Sequence, residues 1–542
     1  MRIGTDTVPD ELRAIDAAVS RGDYNAAFEA ANVALRKGLR APAAYNARAI
    51  WFQNQGRHED ALAEFQKSLI ITPNDVNLLN AIGLCAARCN RTGDALAAFD
   101  RAIALSPNAA ESHYRKGWVH AITGDRLAAR AAYARAAELN PEFTEALAAL
   151  AEISARDGEF DVARDYATRS VARDPGNATA ISTLAAIEIE SGHHSDAEAI
   201  LRRALESSDV RGHERAVLLG RLGDALDGQE RYEDAFAAYR ARANEMIALH
   251  GQRMAAFPSP TKVLNSLAAY LQWAPPESWT SAPAPVERAP RAHVFILGFM
   301  RSGTTLLEQV LAQHPDALNL EERPSLDPLV DAYMRVPEGL NRLRALDDNA
   351  LAQARQAYWQ RVRSFGCEPE GKVFIDKQPL NTINLPLIAK LFPDAKVLFA
   401  LRDPRDVVFS CFRRQFEVNP TTFQFLQLGT GAQFYAAVMT ISQLCRDRLG
   451  LKVFEHRYED MIGDFEGRVR AACDFIGLDW TDRMRDFSSQ ISRKTVRSAS
   501  AAQVTRPLYG DAAGEWRHYA GQLGEALPVL APWIGQFGYS KD

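Results

Sequence analysis

The pattern of apolar and small residues changes character near the middle of the chain. Up to about residue 248, one position recurs every 34 residues as Ala27, Ala61, Ala95, Ala129, Ala163 and Ala197. A second recurs as Gly22, Gly56, Gly124, Gly158 and Gly192, with Asn90 in the one missing place, and a third as Pro73, Pro107, Pro141 and Pro175. A 34-residue period is that of stacked helix pairs. The small alanine lets the two helices of a pair approach, Phe65, Phe99 and Tyr133 fill the groove beside it, and Gly or Asn suits the left-handed residue of the turn between helices. A looser unit at 215–248 holds Gly228 and Ala235; Ala235 follows Ala197 by 38 residues, so four are inserted there. A last helical stretch at about 246–273 caps the array, and the proline-rich, aperiodic run Ala274 to Pro290 predicts a semi-rigid linker. Beyond it, short apolar runs at Val294 to Leu297, Val373 to Ile375, Val397 to Leu401 and Val453 to Glu455 alternate with helical stretches, which predicts an open parallel α/β sheet. The expected organisation is an all-α repeat array over 1–248, a cap and linker over 249–290, and an α/β domain over 291–542.

With 542 residues the chain exceeds one ordinary core, in keeping with several domains. A formal charge of -5 argues against a dedicated nucleic-acid binder, so any anion must be held by a local basic site. The six cysteines show no metal spacing with matching histidines and read as free thiols, with Cys85 and Cys89 on one helix face. The N-terminus lacks a charged and apolar leader, and no apolar run is long enough to span a membrane. A soluble cytoplasmic protein is the expectation.

Chemistry concentrates after the linker. Gly298 to Thr305 read GFMRSGTT, directly after an apolar strand candidate: this is P-loop spacing, with Thr304 where a nucleotide triphosphatase carries lysine. Such a loop can wrap a phosphate-like group in backbone N–H groups at a helix N-terminus, with Arg301, Ser302, Gly303, Thr304 and Thr305 as donors, but it is poorly equipped for ordinary ATP chemistry. A second strand-end loop runs from Leu398 to Gln415. Arg402 stands at the strand's end, and Ser410 and Arg414 follow four apart, on one face of the succeeding helix, so the three form a second anion site.

These two loops resemble those of sulfotransferases that use 3′-phosphoadenosine-5′-phosphosulfate, over about residues 291–540, nearest to the tyrosylprotein sulfotransferases and to bacterial proteins that join such a domain to repeats. The upstream array resembles tetratricopeptide repeats across about residues 10–210. The first resemblance implies that Arg301 to Thr305 grip the 5′-phosphosulfate, with Met300 where proline is usual, and that Arg402, Ser410 and Arg414 grip the 3′-phosphate. It further implies that Tyr458 contacts the adenosine nucleotide, that Glu322 is the catalytic base with Glu321 beside it, and that Lys377, with Arg301, stabilises charge on the leaving bridge and the moving sulfuryl group. Near the C-terminus it implies cofactor contacts from Ser498 and from a basic residue just before Trp516; Glu515 occupies that place, so the contact is either lost or taken by Arg517. The product would be 3′,5′-adenosine bisphosphate, and no metal is required.

The implied activity is sulfuryl transfer to an acceptor hydroxyl, most directly a tyrosine of a peptide or protein, with glycan, lipid or small-molecule hydroxyls as alternatives. A repeat adaptor carrying a degenerate nucleotide-binding domain is the reading from another class. The repeat groove is expected to bind a peptide or protein partner, or else to serve as a dimer contact or a cover for the catalytic domain.

Overall fold

The computed structural model describes residues 8–279, 281–282, 287–336, 338–488 and 513–540. Packing divides the chain into two compact units, Met1–Ile187 and Glu188–Asp542. The first is all helical, with pairs running from Asp10–Ser20 and Tyr24–Arg36 to Thr144–Arg156 and Phe160–Arg173. The 34-residue pattern is read out directly. Ala27, Ala61, Ala95 and Ala163 are wholly buried, and the turn residues Gly22, Gly56, Asn90, Gly124 and Gly158 all have positive φ, between 58° and 80°. Phe99 and Tyr133 lie on Gly83 and Gly117, where an added Cβ would come within 2.6 and 2.7 Å of the rings. The repeat therefore requires small residues at the ring contact as well as at the alanine positions.

The second unit opens with helices His194–Leu205, Gly212–Asp227, Tyr232–Ala255 and Pro260–Trp273. In the looser repeat the left-handed residue is Glu230 (φ 60°) and not Gly228 (φ −67°). The four inserted residues extend the first helix by about one turn of 3.6 residues, so Glu230 takes the turn position and Ala235 keeps its fully buried place. The proline-rich segment is held within this unit where it is described. Trp279 is buried, Lys390 Nζ donates to Ser278 O (3.0 Å) and Ser281 Oγ donates to Lys390 O (2.7 Å).

A five-stranded parallel sheet follows: β1 Ala292–Gly298, β2 Ala317–Asn319, β3 Val373–Lys377, β4 Lys396–Leu401 and β5 Lys452–Arg457, in the order β2-β3-β1-β4-β5. Its strands are near-continuous apolar runs because both faces are covered. On one face Val294, Ile296, Val373, Ile375 and Leu398 pack with Leu307, Val310 and Leu311 of helix Thr304–Leu311 and with Val469, Ala472, Cys473 and Ile476 of helix Phe465–Ile476. On the other an aromatic cluster joins His293, Phe295, Tyr358, Trp359, Phe374 and Phe392. Strand β2, only three residues long, escaped the apolar-run criterion. Among the described residues no helix is long and apolar enough to cross a membrane.

Candidate active site

The chain reverses direction across the sheet at β1, placing β3 on one side of it and β4 on the other, and in sheets of this kind ligands bind outside the carboxyl ends of the strands at that point. The GFMRSGTT segment leaves β1 there. Gly298 passes so close to β4 that a Cβ would stand 2.5 Å from Ala400 O, and its N–H donates to Thr382 Oγ1 (2.9 Å). Gly303 caps the helix Thr304–Leu311 with φ +86°, and a Cβ there would strike Tyr458 Cδ2 at 2.7 Å. Only glycine allows both the left-handed turn and the tyrosine beside it. Ser302, Thr304 and Thr305 are buried against this turn, whose first amides point out of the helix N-terminus.

The second loop meets the first. Arg402 Nη1 donates to Arg301 O (3.1 Å), and Arg301 Nε donates to Ser410 Oγ (3.1 Å). The Arg402 guanidinium lies 5.1 Å from the centre of the Tyr458 ring. Burial, reinforced by the neighbouring charges of Arg414 and Arg402, pulls the Arg301 guanidinium down to about 9. The structure thus brings Arg301, Arg402, Ser410, Arg414 and Tyr458 together. It corrects one expectation about Arg414: the helix Pro404–Arg413 ends one residue earlier, and Arg414 is its C-cap with extended backbone (φ −83°, ψ 142°), so Ser410 and Arg414 are not on one helical face.

Lys377 ends β3, fully buried, and bridges two carboxylates: Glu322 Oε1 at 2.5 Å and Glu308 Oε2 at 3.3 Å. Leu320 N donates to Ile375 O (2.8 Å), extending the β2 pairing and delivering Glu322 to the lysine. Glu321 turns the chain there with φ 59°. The loop is anchored beneath by a buried chain in which Ser325 Oγ (2.6 Å) and Tyr358 OH (2.7 Å) both donate to Asp376 Oδ2, while His293 Nε2 lies 3.0 Å from the Tyr358 hydroxyl. Burial lifts Asp376 to about 6 and lowers His293 to about 3, so the imidazole is neutral and its Nε2–H can donate to the tyrosine. For Lys377, burial works against the charge, but Glu308 and Glu322 outweigh it and raise the pKa.

Sequence reasoning missed Glu308. It lies in the helix after the first loop, 1 % exposed, and burial lifts it to about 7 although Lys377 draws it down. The signal was available, since a carboxylate between Leu307 and Val310 on the stripe that faces the sheet needs a buried cation. Asp406 was missed too: it accepts from Gly514 N (2.7 Å) and Trp516 N (2.8 Å), tying the closing segment to the second loop, and burial raises it to about 6. Glu515 forms an ion pair with Arg413, which accounts for an acid at a place where the resemblance expects a base. Arg517 is exposed, its guanidinium 5.1 Å from the Trp516 ring centre. Ser498 lies outside the described residues.

Residues 293–482 match a family model described as the sulfotransferase family, and residues 12–76, 81–126, 123–178 and 154–214 match tetratricopeptide-repeat models. A protein of Aquifex aeolicus (strain VF5) described as uncharacterized is 26% identical over 260 residues, which are 46% of this chain and 33% of that one. Protein-tyrosine sulfotransferase 2 of Gallus gallus is 25% identical over 260 residues (45% of this chain, 69% of that one), and protein-tyrosine sulfotransferase 1 of Danio rerio is 25% identical over 264 (45% and 72%). A solved tetratricopeptide repeat protein from Parabacteroides merdae aligns with 44% of this chain and 92% of its own at 17% identity and a TM-score of 0.37. The chain spans a third of the Aquifex relative's length. The C-terminal half therefore carries a sulfotransferase-family domain with distant protein-tyrosine sulfotransferase relatives, and the N-terminal half carries tetratricopeptide repeats.

Proposed function

We propose that this protein transfers a sulfuryl group from 3′-phosphoadenosine-5′-phosphosulfate to the hydroxyl of a tyrosine in a peptide or protein. The observation that supports it most is the placement, at the carboxyl ends of neighbouring parallel strands, of a cationic cluster and of a lysine held by two carboxylates. The donor set fits a ligand that is anionic at both ends: the first turn of helix Thr304–Leu311 with Arg301 for the 5′ side, and Arg402, Ser410 and Arg414 for the 3′-phosphate. Tyr458, packed on Gly303 and under Arg402, lines the site between them. When bound, the phosphosulfate supplies the sulfuryl group and a phosphate leaving group.

The protein's own contribution is positional and electrostatic. Glu322, with a third of its side chain exposed, takes the proton from the acceptor hydroxyl at a carboxylate oxygen as the hydroxyl attacks. Lys377 Nζ and the Arg301 guanidinium hold negative charge on the departing side. Tyrosine is favoured as acceptor because the relatives that share the domain are protein-tyrosine sulfotransferases, and the repeat array would hold the peptide or protein that carries it.

Calorimetric titration of 3′,5′-adenosine bisphosphate and of ATP, with and without magnesium, tests the donor: the bisphosphate should bind tightly and independently of magnesium, and a preference for Mg·ATP would overturn the reading. Transfer of labelled sulfate to a tyrosine peptide tests the base. Glu322→Ala should lose roughly 10²–10⁴-fold in turnover with bisphosphate affinity retained, and full activity in that variant would remove Glu322 from its role.

A further inference from the structure

The helix Pro404–Arg413, which carries Ser410 and hands the chain to Arg414, ends inside the second unit, and the last carbonyls of a helix have no partner within it. The partner here comes from far away in sequence. Arg242, on helix Tyr232–Ala255 of the last repeat, donates from Nη2 to Phe412 O and from Nη1 to Arg414 O (3.3 Å). The side chain is 1 % exposed and its Nε has no hydrogen-bond partner among the described residues. Its stem is pressed against the preceding helix, where a Cβ on Gly220 would stand 3.0 Å from Arg242 Cδ. The small cavity it faces is lined mainly by apolar side chains, Met246, Phe416, Val418, Phe425 and Leu426, together with Thr422 and Arg414.

Burying a guanidinium in such surroundings is unfavourable unless its donors are used, and two of them are used on backbone carbonyls at the point where the helix stops. A cation at a helix C-terminus also complements the dipole there. The turn that results is the one that takes Arg414 out of the helix into an extended conformation. Further links from the same repeat hold the neighbouring residues: Arg413 lies 3.7 Å from Asp227, which also accepts from Tyr519 OH, and Phe236 packs on Phe412.

We propose that Arg242 is a positioning residue for the 3′-phosphate: by capping the helix that ends at Arg413 it fixes the end of the helix that carries Ser410 and the turn that carries Arg414, so the last repeat is a working part of the donor site. This rests on the assignment of Ser410 and Arg414 to the 3′-phosphate made above. The test measures the affinities of the full chain for 3′,5′-adenosine bisphosphate and for adenosine 5′-phosphate, whose ratio isolates the 3′-phosphate. Wild type should prefer the bisphosphate; if it binds both alike, the donor assignment itself fails. Arg242→Met should reduce the preference by roughly tenfold, the size of one hydrogen bond to a charged group, while the 5′-phosphate affinity stays. An unchanged preference, or a parallel fall in both affinities, would show a structural role only and overturn the inference. Arg242→Lys keeps the charge but lacks the fork that reaches two carbonyls, so an intermediate ratio is expected. Should Arg242→Met not fold, that ratio alone decides, and a wild-type value for the lysine variant overturns the inference.

Discussion

Replacing Glu308 by glutamine removes an ionisable group from the interior without changing its shape, and the consequence for stability has a definite sign. The carboxyl is lifted from its ordinary 4.5 to about 7, first by burial and against the pull of Lys377. A carboxyl with a raised native pKa binds its proton more tightly when folded, so its contribution is complete below about pH 4.5 and is lost as pH climbs through about 7. At 1.36 kcal/mol per unit, the span amounts to about 3 kcal/mol. Glu308→Gln cannot ionise, and Lys377 keeps Glu322 as its partner. The variant carries a constant offset from exchanging a protonated carboxyl for an amide, and on top of it the difference between variant and wild type should shift toward the variant by about 3 kcal/mol as pH rises across that range, the attraction of Lys377 being already contained in the carboxyl's pKa. Urea unfolding of both proteins, followed by tryptophan fluorescence between about pH 5 and about pH 8, reads this, since titrating groups that do not interact with Glu308 cancel in the difference. A difference that stays flat with pH, or that moves toward wild type, would refute the account of Glu308 as a buried, partly compensated acid.

Two other substitutions probe the geometry. Gly303→Ala places a Cβ on a residue at φ +86° and against Tyr458; it should cost about 1–2 kcal/mol in backbone strain and weaken bisphosphate binding by displacing the tyrosine, and calorimetry showing wild-type affinity would contradict the packing described. Tyr358→Phe removes one of two donors to Asp376 Oδ2 and strands the His293 Nε2–H; a loss of about 1–3 kcal/mol in urea unfolding is expected, and an unchanged midpoint would mean that this chain does not anchor the Glu322 loop.

The repeats were legible because their signal is local and repeated: a left-handed turn every 34 residues demands Gly or Asn, and the structure has positive φ at each such place. The Gly228 exception is equally physical. An insertion of four preserves the helical face, and the turn moves to Glu230, a residue type that local preference would not select. The strand-end placement of Arg301, Arg402, Lys377 and Tyr458 was legible from apolar runs followed by polar residues. What was not legible depended on pairing between distant segments. Strand β2 is three residues long and is defined by its partner β3, so the route that brings Glu322 to Lys377 could be named only from family resemblance. Asp376 reads as an unremarkable acid until its burial is known, whereas the one signal of Glu308 is its place on the apolar stripe of its helix. The proline-rich run reads as a linker because proline and serine carry no periodicity, yet Lys390 and Arg355 on helices of the α/β domain bind its carbonyls and hydroxyls.

The two carboxylates on Lys377 also bear on how the proposed reaction keeps its electrostatics in order. A base that takes a proton loses its charge at the moment the departing side gains one, and a lysine held by that base alone would be released just when its position matters most. Here Lys377 retains Glu308 at 3.3 Å, on a helix packed into the core of the sheet. The same arrangement sharpens the meaning of the Glu322→Ala experiment. With Glu308 still in place the lysine stays at the strand end, so lost turnover in that variant reports the missing base and not a displaced cation.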